Sequence, residues 1–305
     1  MAKKIKCAFF YRAVPFAIAS YFRRTLERME NIELWTCGNY YGDFIDWNQG
    51  MHLPQKYVVP VDLPLPPTAL TPFWNSIEPL LPWTPDIIIQ VDAGFHFLDK
   101  PKCKIVATVA TDAHCLDYSV PRSYSDFMFN MHPHFSKPGD IPLPYAADTT
   151  CHYPDLDVEI DHDACLIGLH YQQRDQWVAA LRSHGMRVIY DLGLIYDDYR
   201  QQVCRAPVGL NWSSSKDMNQ RVFELMAMAR CPVVDRVPDF ELVGLKEDVH
   251  FLGFDTLPEA VEKVEWALDN LGEAQKIAHQ AREFVLQRHT YQHRVNTILE
   301  ECGLL

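Results

Sequence analysis

Apolar positions along this chain gather into short dense runs, separated by segments in which they recur at helical spacing. The second half shows this most clearly. ACLIGL (164–169), RVIYD (187–191), PVGLN (207–211), CPVVD (231–235) and VHFLG (249–253) read as strands, with helices over Gln172–His184, Leu194–Cys204 and Asn219–Arg230 between them. Short apolar strands alternating with helices predict a parallel sheet covered on both faces. Two further helices follow. PEAVEKVEWALDNL places Val261, Val264, Ala267, Leu268 and Leu271 on one face, and EAQKIAHQAREFVLQRH continues the pattern. TYQHRVNTILEECGLL opens on Thr290, a plausible helix cap.

The first half has the same grammar. KIKCAFFY (3–10), IELWTC (32–37), PDIIIQVD (85–92), KIVATVA (104–110) and DFMFNM (126–131) read as strands, and Phe16–Met29 as a helix. Nine prolines between positions 54 and 85 break the alternation. Proline removes a backbone donor, so this stretch reads as an irregular excursion with one short helix near Phe73–Leu80. The chain is thus expected to be α/β, with two Rossmann-like doubly wound domains facing a cleft. The joint falls near DTTCHYPDLDVEIDHD (148–163). The expected division is 1–150, 151–288 and a final helix over 289–305.

Composition narrows the function. At 305 residues and a net charge of −12, the chain lacks the basic balance of a generic nucleic-acid binder. Its nine cysteines show neither zinc-site nor redox spacing and read as reduced, mostly buried thiols, which implies a cytoplasmic protein. The opening MAKKIKCAFFY reads as a strand rather than an export signal, and no apolar run is long enough to span a membrane. Neither GxGxxG nor a P-loop is present, which argues against a dinucleotide dehydrogenase or an NTPase.

One residue stands out. Glu224 lies among Val222, Phe223, Leu225, Met226 and Met228. A buried carboxylate needs a partner, so Glu224 either faces solvent or meets a ligand. The surrounding RVFELMAMARCPVV, followed by VPDFELV, resembles the nucleotide-sugar segment of glycosyltransferases with two Rossmann-like domains, the GT-B fold, in which a helix carries an acid as in xFExMAxGxPVV. The closer resemblance is to the CgeB-like (spore-maturation) branch. IGLHYQQRDQWVAAL, PVGLNWSSSKDMNQRVFE, IPLPYAAD and HTYQHRV resemble further segments of that branch, in the same order. Together they cover roughly Ile141 to Leu305.

The resemblance implies a nucleotide-diphosphate sugar as donor substrate, with UDP favoured, no metal and no other cofactor. The acid at Glu224 would accept hydrogen bonds from the ribose. Transfer would retain the anomeric configuration, and the final helix over 289–305 would cross back to the first domain. One position departs from the pattern: where many retaining members carry a second acid eight residues before the first, this chain has Lys216.

The residues themselves suggest the rest of the machinery. Arg174, after the Gly168 turn and near a helix start, suits a diphosphate, as do Ser214, Ser215, Lys216 and Asn219 ahead of the Glu224 helix. At the end of the strand KIVATVA, Asp112 and His114 are the candidate catalytic pair for the acceptor's proton. Asp92 and His96, flanking Gly94, are candidates for the acceptor side. The histidines of MHPHF find no third ligand at metal spacing, so no metal site is expected. The acceptor is left open among saccharide, protein, small metabolite and modified DNA base, and so is the oligomeric state. Two other readings stay open: a non-catalytic sugar- or metabolite-binding protein, and a nucleotide-sugar epimerase of the same fold.

Overall fold

The computed structural model describes residues 3–40, 44–45, 51–52, 55–91 and 94–305. The chain divides into two compact units, one formed by Met1–Pro144 with Tyr291–Leu305 and the other by Tyr145–Thr290.

The first unit opens with β1 (Ile5–Ala13), α1 (Ile18–Arg28) and β2 (Ile32–Tyr40). A two-residue hairpin, β3 (Phe44–Ile45) with β4 (Met51–His52), precedes β5 (Leu63–Leu65) and the short α2 (Trp74–Ile77). Then come β6 (Ile87–Val91), β7 (Val106–Ala110), α3 (Ser119–Tyr124), β8 (Phe127–Asn130) and β9 (Ile141–Pro142). Seven of these strands form one parallel sheet in the order β5-β2-β1-β6-β7-β8-β9. Every residue of β6 and β7 is buried, as expected of central parallel strands covered on both faces.

Sequence periodicity does not reveal β5 or β9, because each carries a proline, Pro64 and Pro142. Both strands sit at an edge, where a missing ladder donor is tolerated. On one face of the sheet Phe10, Trp74 and Phe97 pack edge to face, with Phe10 and Phe97 ring centroids 4.7 Å apart.

The second unit contains β10 (Ala164–Ile167), α4 (Gln172–Ser183), β11 (Val188–Asp191), α5 (Tyr196–Cys204), β12 (Val208–Asn211), α6 (Gln220–Ala227), β13 (Cys231–Asp235), α7 (Asp239–Leu242), β14 (Leu252–Phe254), α8 (Leu257–Asp269) and α9 (Leu271–Arg288). Its five strands are all parallel, in the order β11-β10-β12-β13-β14. Trp177 of α4 is fully buried, 4.9 Å from Phe254 of β14. The α8 cap is Thr256, whose hydroxyl accepts from the Glu259 N–H.

The last helix, α10 (Tyr291–Glu301), returns to the first unit. Tyr291 stacks on Tyr21 of α1 at 5.2 Å, and Arg294 donates to the Pro144 carbonyl. Burial lowers the Arg294 pKa to about 10, which still leaves it charged at neutral pH. Among the described residues, no helix is long and apolar enough to cross a membrane.

Two glycines test the packing directly. In β2, Gly38 pairs with Tyr11 of β1, and a Cβ there would lie 1.8 Å from the Tyr11 carbonyl oxygen, which is backbone and cannot swing aside. Gly38→Ala is expected to destabilise the protein by about 3 kcal/mol or more, the upper end of overpacking costs. A Cβ on Gly272, in the first turn of α9, would meet open space. Gly272→Ala should be neutral or stabilising by up to about 1 kcal/mol. Urea midpoints measure both, and similar values for the two variants would contradict the strand register.

Candidate active site

The winding of the second unit's sheet reverses between β10 and β12, and the carboxyl ends of strands at such a reversal are where α/β sheets bind their ligands. Two arginines occupy this place. Arg221, the second residue of α6, donates from Nε to the Ile167 carbonyl and from Nη1 to Asn211 Oδ1, each at 2.8 Å. Arg174, in the first turn of α4, donates from Nε to the Trp212 carbonyl at 2.8 Å and from Nη1 to the Leu169 carbonyl at 2.7 Å. Its guanidinium also lies over the Tyr171 ring. Each arginine therefore ties the end of β10 to the end of β12.

Gly168 is what admits Arg221. A Cβ at position 168 would lie 1.9 Å from the Arg221 Nη2, and the glycine φ of 150° is one that side chains rarely adopt. Among the described residues neither arginine forms an ion pair; both are held by neutral oxygens. Burial lowers the Arg174 pKa to about 9, and the charge of Arg221 adds to the effect. Arg174 remains cationic at neutral pH, so it and Arg221 set two like charges side by side in a place that an anion would relieve.

Glu224 follows Arg221 by one helical turn and shares its side of α6. It is buried at 9% exposure, so it does not simply face solvent. It also has partners within the chain, an outcome outside the two choices that the sequence offers. Gln220 Nε2 donates to Glu224 Oε1, and His152 Nε2 faces the same oxygen at 3.5 Å. The Asp148 N–H donates to His152 Nδ1 at 3.2 Å, which leaves the proton of the neutral imidazole on Nε2, toward the carboxylate. Tyr199 is buried nearby, its pKa raised well above the usual value by burial and then by the Glu224 charge. Neither Gln220 nor His152 engages the second oxygen, Oε2, and the side chain keeps 12% exposure.

The loop before α6 is held less uniformly. The Ser213 N–H donates to Asp235 Oδ1 at 2.8 Å, and its hydroxyl to Oδ2. Ser214 and Ser215 are exposed, and the Ser215 N–H donates to Asp217 Oδ1. Lys216 has a φ of 55°, and its Nζ lies 3.5 Å from the Arg236 carbonyl and 3.6 Å from Asp255. Asn219 is the N-cap residue of α6 yet makes no side-chain cap bond, and its Oδ1 is buried without a partner among the described residues.

In the first unit, Asp112 and His114 follow β7. Asp112 Oδ2 accepts from Thr111 Oγ1 at 2.8 Å, and the Asp112 N–H donates to the Tyr118 hydroxyl at 3.2 Å. His114 lies against His132, with ring centroids 4.4 Å apart. Asp117 takes both the N–H and the hydroxyl of Ser119, a local turn. His96 is half-buried, and burial lowers its pKa against the opposing charge of Asp117. Asp92 lies outside the described residues.

Residues 160–300 match a family model described as glycosyl transferase-like. The chain is a glycosyltransferase. Its fold is that of the GT-B enzymes, and solved structures align over nearly the whole chain. The sucrose-phosphate synthase of Thermosynechococcus elongatus aligns over 98% of both chains at 12% identity with a TM-score of 0.61. An α-glucosyltransferase solved with UDP and a DNA 13-mer aligns over 97% of this chain and 98% of its own, at 13% identity and a TM-score of 0.63. An Anabaena protein solved with UDP aligns over 99% and 100%, at 9% identity and a TM-score of 0.62. No curated protein matches the sequence.

In this glycosyltransferase the structure gathers Gly168, Arg174 and Glu224 around the ends of β10 and β12, together with Arg221 and His152, which sequence reasoning did not single out. Arg221 was visible as a cation one turn before Glu224. His152 gave no signal, because the stretch around it reads as a polar joint. Of the loop residues, Lys216 turns toward Arg236 and Asp255.

Asp235 supplies a test of this loop. Burial raises its pKa above the ordinary 3.8 despite the two bonds from Ser213. From 3.8 up to the folded value the native glycosyltransferase binds more protons than the unfolded chain, so this residue makes stability fall as pH rises through that window. Asp235→Asn keeps an acceptor for the Ser213 N–H and removes the charge. Its stability relative to wild type in urea titrations should be greater at pH 7 than at pH 4, and a difference that does not change with pH would contradict this.

Proposed function

We propose that the second unit binds a nucleoside-diphosphate sugar, with UDP as the nucleotide, and that the enzyme transfers the sugar to an acceptor hydroxyl with retention. The observation that carries this reading is the pair of guanidiniums at the β10 and β12 ends, unneutralised by any carboxylate ion pair among the described residues, with Glu224 one turn further along α6. A diphosphate supplies the missing negative charge, so no metal is needed at the donor. Glu224 then accepts the ribose hydroxyls, with Oε1 steadied by Gln220 and His152. Asn219, with its buried amide oxygen, Ser214, Ser215 and Lys216 are the remaining donor contacts of this reading. UDP is favoured by the resemblance to the CgeB-like branch and by the UDP named with two of the similar structures.

In the transfer, the bond from the anomeric carbon to the diphosphate breaks and a bond to the acceptor oxygen forms. The acceptor's proton goes to the departing phosphate, or to the Asp112 and His114 pair of the first unit. Asp92 and His96 belong to the acceptor side of the proposal. The acceptor is a saccharide, protein, small metabolite or modified base, and the net charge of −12 weighs against long nucleic acid. The placement is cytoplasmic.

Calorimetric titration with UDP, GDP, ADP and TDP tests the donor. UDP is expected to bind best, and Glu224→Ala to cost about 1–3 kcal/mol, the loss of a charge-assisted hydrogen bond. Arg221→Ala should weaken UDP more than uridine, since only UDP carries the diphosphate. Equal binding by wild type and Glu224→Ala would reduce the α6 acid to scaffold. One similar structure is a UDP-N-acetylglucosamine 2-epimerase. An epimerised sugar nucleotide formed without any acceptor would favour that chemistry instead.

A further inference from the structure

We propose that Asp112, His114 and His132 of the first unit form a binding site for a divalent transition-metal cation. This rests on the geometry of that unit and stands apart from the donor reading.

The sheet register brings the three residues together. In the parallel pair β7 and β8, Ala110 stands opposite Asn130. Two residues beyond each strand end are Asp112 and His132, level with one another past the carboxyl edge of the sheet. The chain after Asp112 then turns tightly, with the N–H groups of Cys115 and Leu116 both donating to the Asp112 carbonyl, and the turn holds His114 beside the other two. One ligand atom from each residue lies within 4.8 Å of the others. Bonds of about 2.0–2.2 Å to a single ion put its ligands roughly 3.3 Å apart. Modest side-chain rotations close the gap.

Three observations favour an ion over a chance cluster. The Nδ1 of His114 is buried and has no hydrogen-bond partner among the described residues, a cost that coordination removes. One ligand is already oriented by a neighbour, since Thr111 Oγ1 donates to Asp112 Oδ2, and hydrogen bonds of this kind to ligating carboxylates fix ligand geometry in metal sites. The backbone N–H of His132 donates to Asn130 Oδ1 at 2.9 Å, which fixes the chain at that residue. The ring of Phe135 borders both histidines, at 5.9 and 6.2 Å, and lowers the local dielectric. Two imidazoles with one carboxylate suit Zn²⁺, Co²⁺ or Fe²⁺ far better than Ca²⁺ or Mg²⁺, which prefer oxygen ligands. Sequence spacing hid the site, because Asp112 and His114 come from a different strand end than the histidines of MHPHF. A bound ion would occupy ligand atoms of the same pair that would otherwise take the acceptor's proton, so the two roles exclude one another.

The test is Co²⁺ binding to the full chain after chelation and dialysis, followed by its visible absorption. The expected result is one Co²⁺ per chain, with the spectrum of nitrogen and oxygen ligands and without the intense near-ultraviolet band of thiolate coordination. His114→Ala and Asp112→Asn should each weaken binding by at least tenfold, the upper reach of second-neighbour effects being about 10–100-fold. His134→Ala, an exposed neighbour outside the cluster, should not. His132→Ala removes a buried side chain, so its circular dichroism is checked first. If it is misfolded, the other two variants decide. Absence of binding at micromolar Co²⁺, a thiolate band, or affinity unchanged in both His114→Ala and Asp112→Asn would overturn the proposal. None of these outcomes depends on whether UDP binds.

Discussion

The arrangement of the second unit turns on two positive charges that cannot leave one another. Arg174 and Arg221 are anchored by carbonyl and amide oxygens at the ends of β10 and β12, and the anchors are short enough to hold both guanidiniums in place despite their repulsion. Much of the local sequence follows from this. Gly168 has no side chain because a Cβ would collide with Arg221. Asn211 ends its strand with an amide because Arg221 needs an acceptor there. A carboxylate in place of any one of these oxygens would cancel only one of the two charges.

The same logic separates the two acids of this region. Asp235, turned inward, is satisfied by Ser213 and disfavoured as an anion by burial. Glu224 keeps an edge of exposure, with two neighbours on one oxygen. The first holds a loop, and the second stays at the edge of solvent beside Gln220, His152 and Tyr199. This distinction is made by side chains far apart in the chain: His152 reaches Glu224 across 72 positions of sequence.

That distance explains what the sequence disclosed and what it withheld. The parallel strands were legible because each is a short run of buried apolar residues, and CPVVD is a strand over the whole of Cys231–Asp235. The edge strands were not, since Pro64 and Pro142 argue against strands unless their edge position is known. Glu224 and Arg174 could be picked out by type and neighbourhood. His132 could not be joined to Asp112 and His114 until β7 and β8 were known to be adjacent and in register, and no spacing rule along one strand contains that information. Side-chain convergence at the end of a parallel sheet is a property of strand order, which a linear pattern does not carry.

The return of α10 to the first unit has a consequence for how the molecule is made. Tyr21 and Phe22 of α1 pack on Tyr291 of the final helix. A ribosome must therefore synthesise every residue of the second unit before the first can cover that face of α1. The unit that begins the chain is the later one to be completed, and during synthesis the aromatic face of α1 has to wait, uncovered, for its partner to emerge.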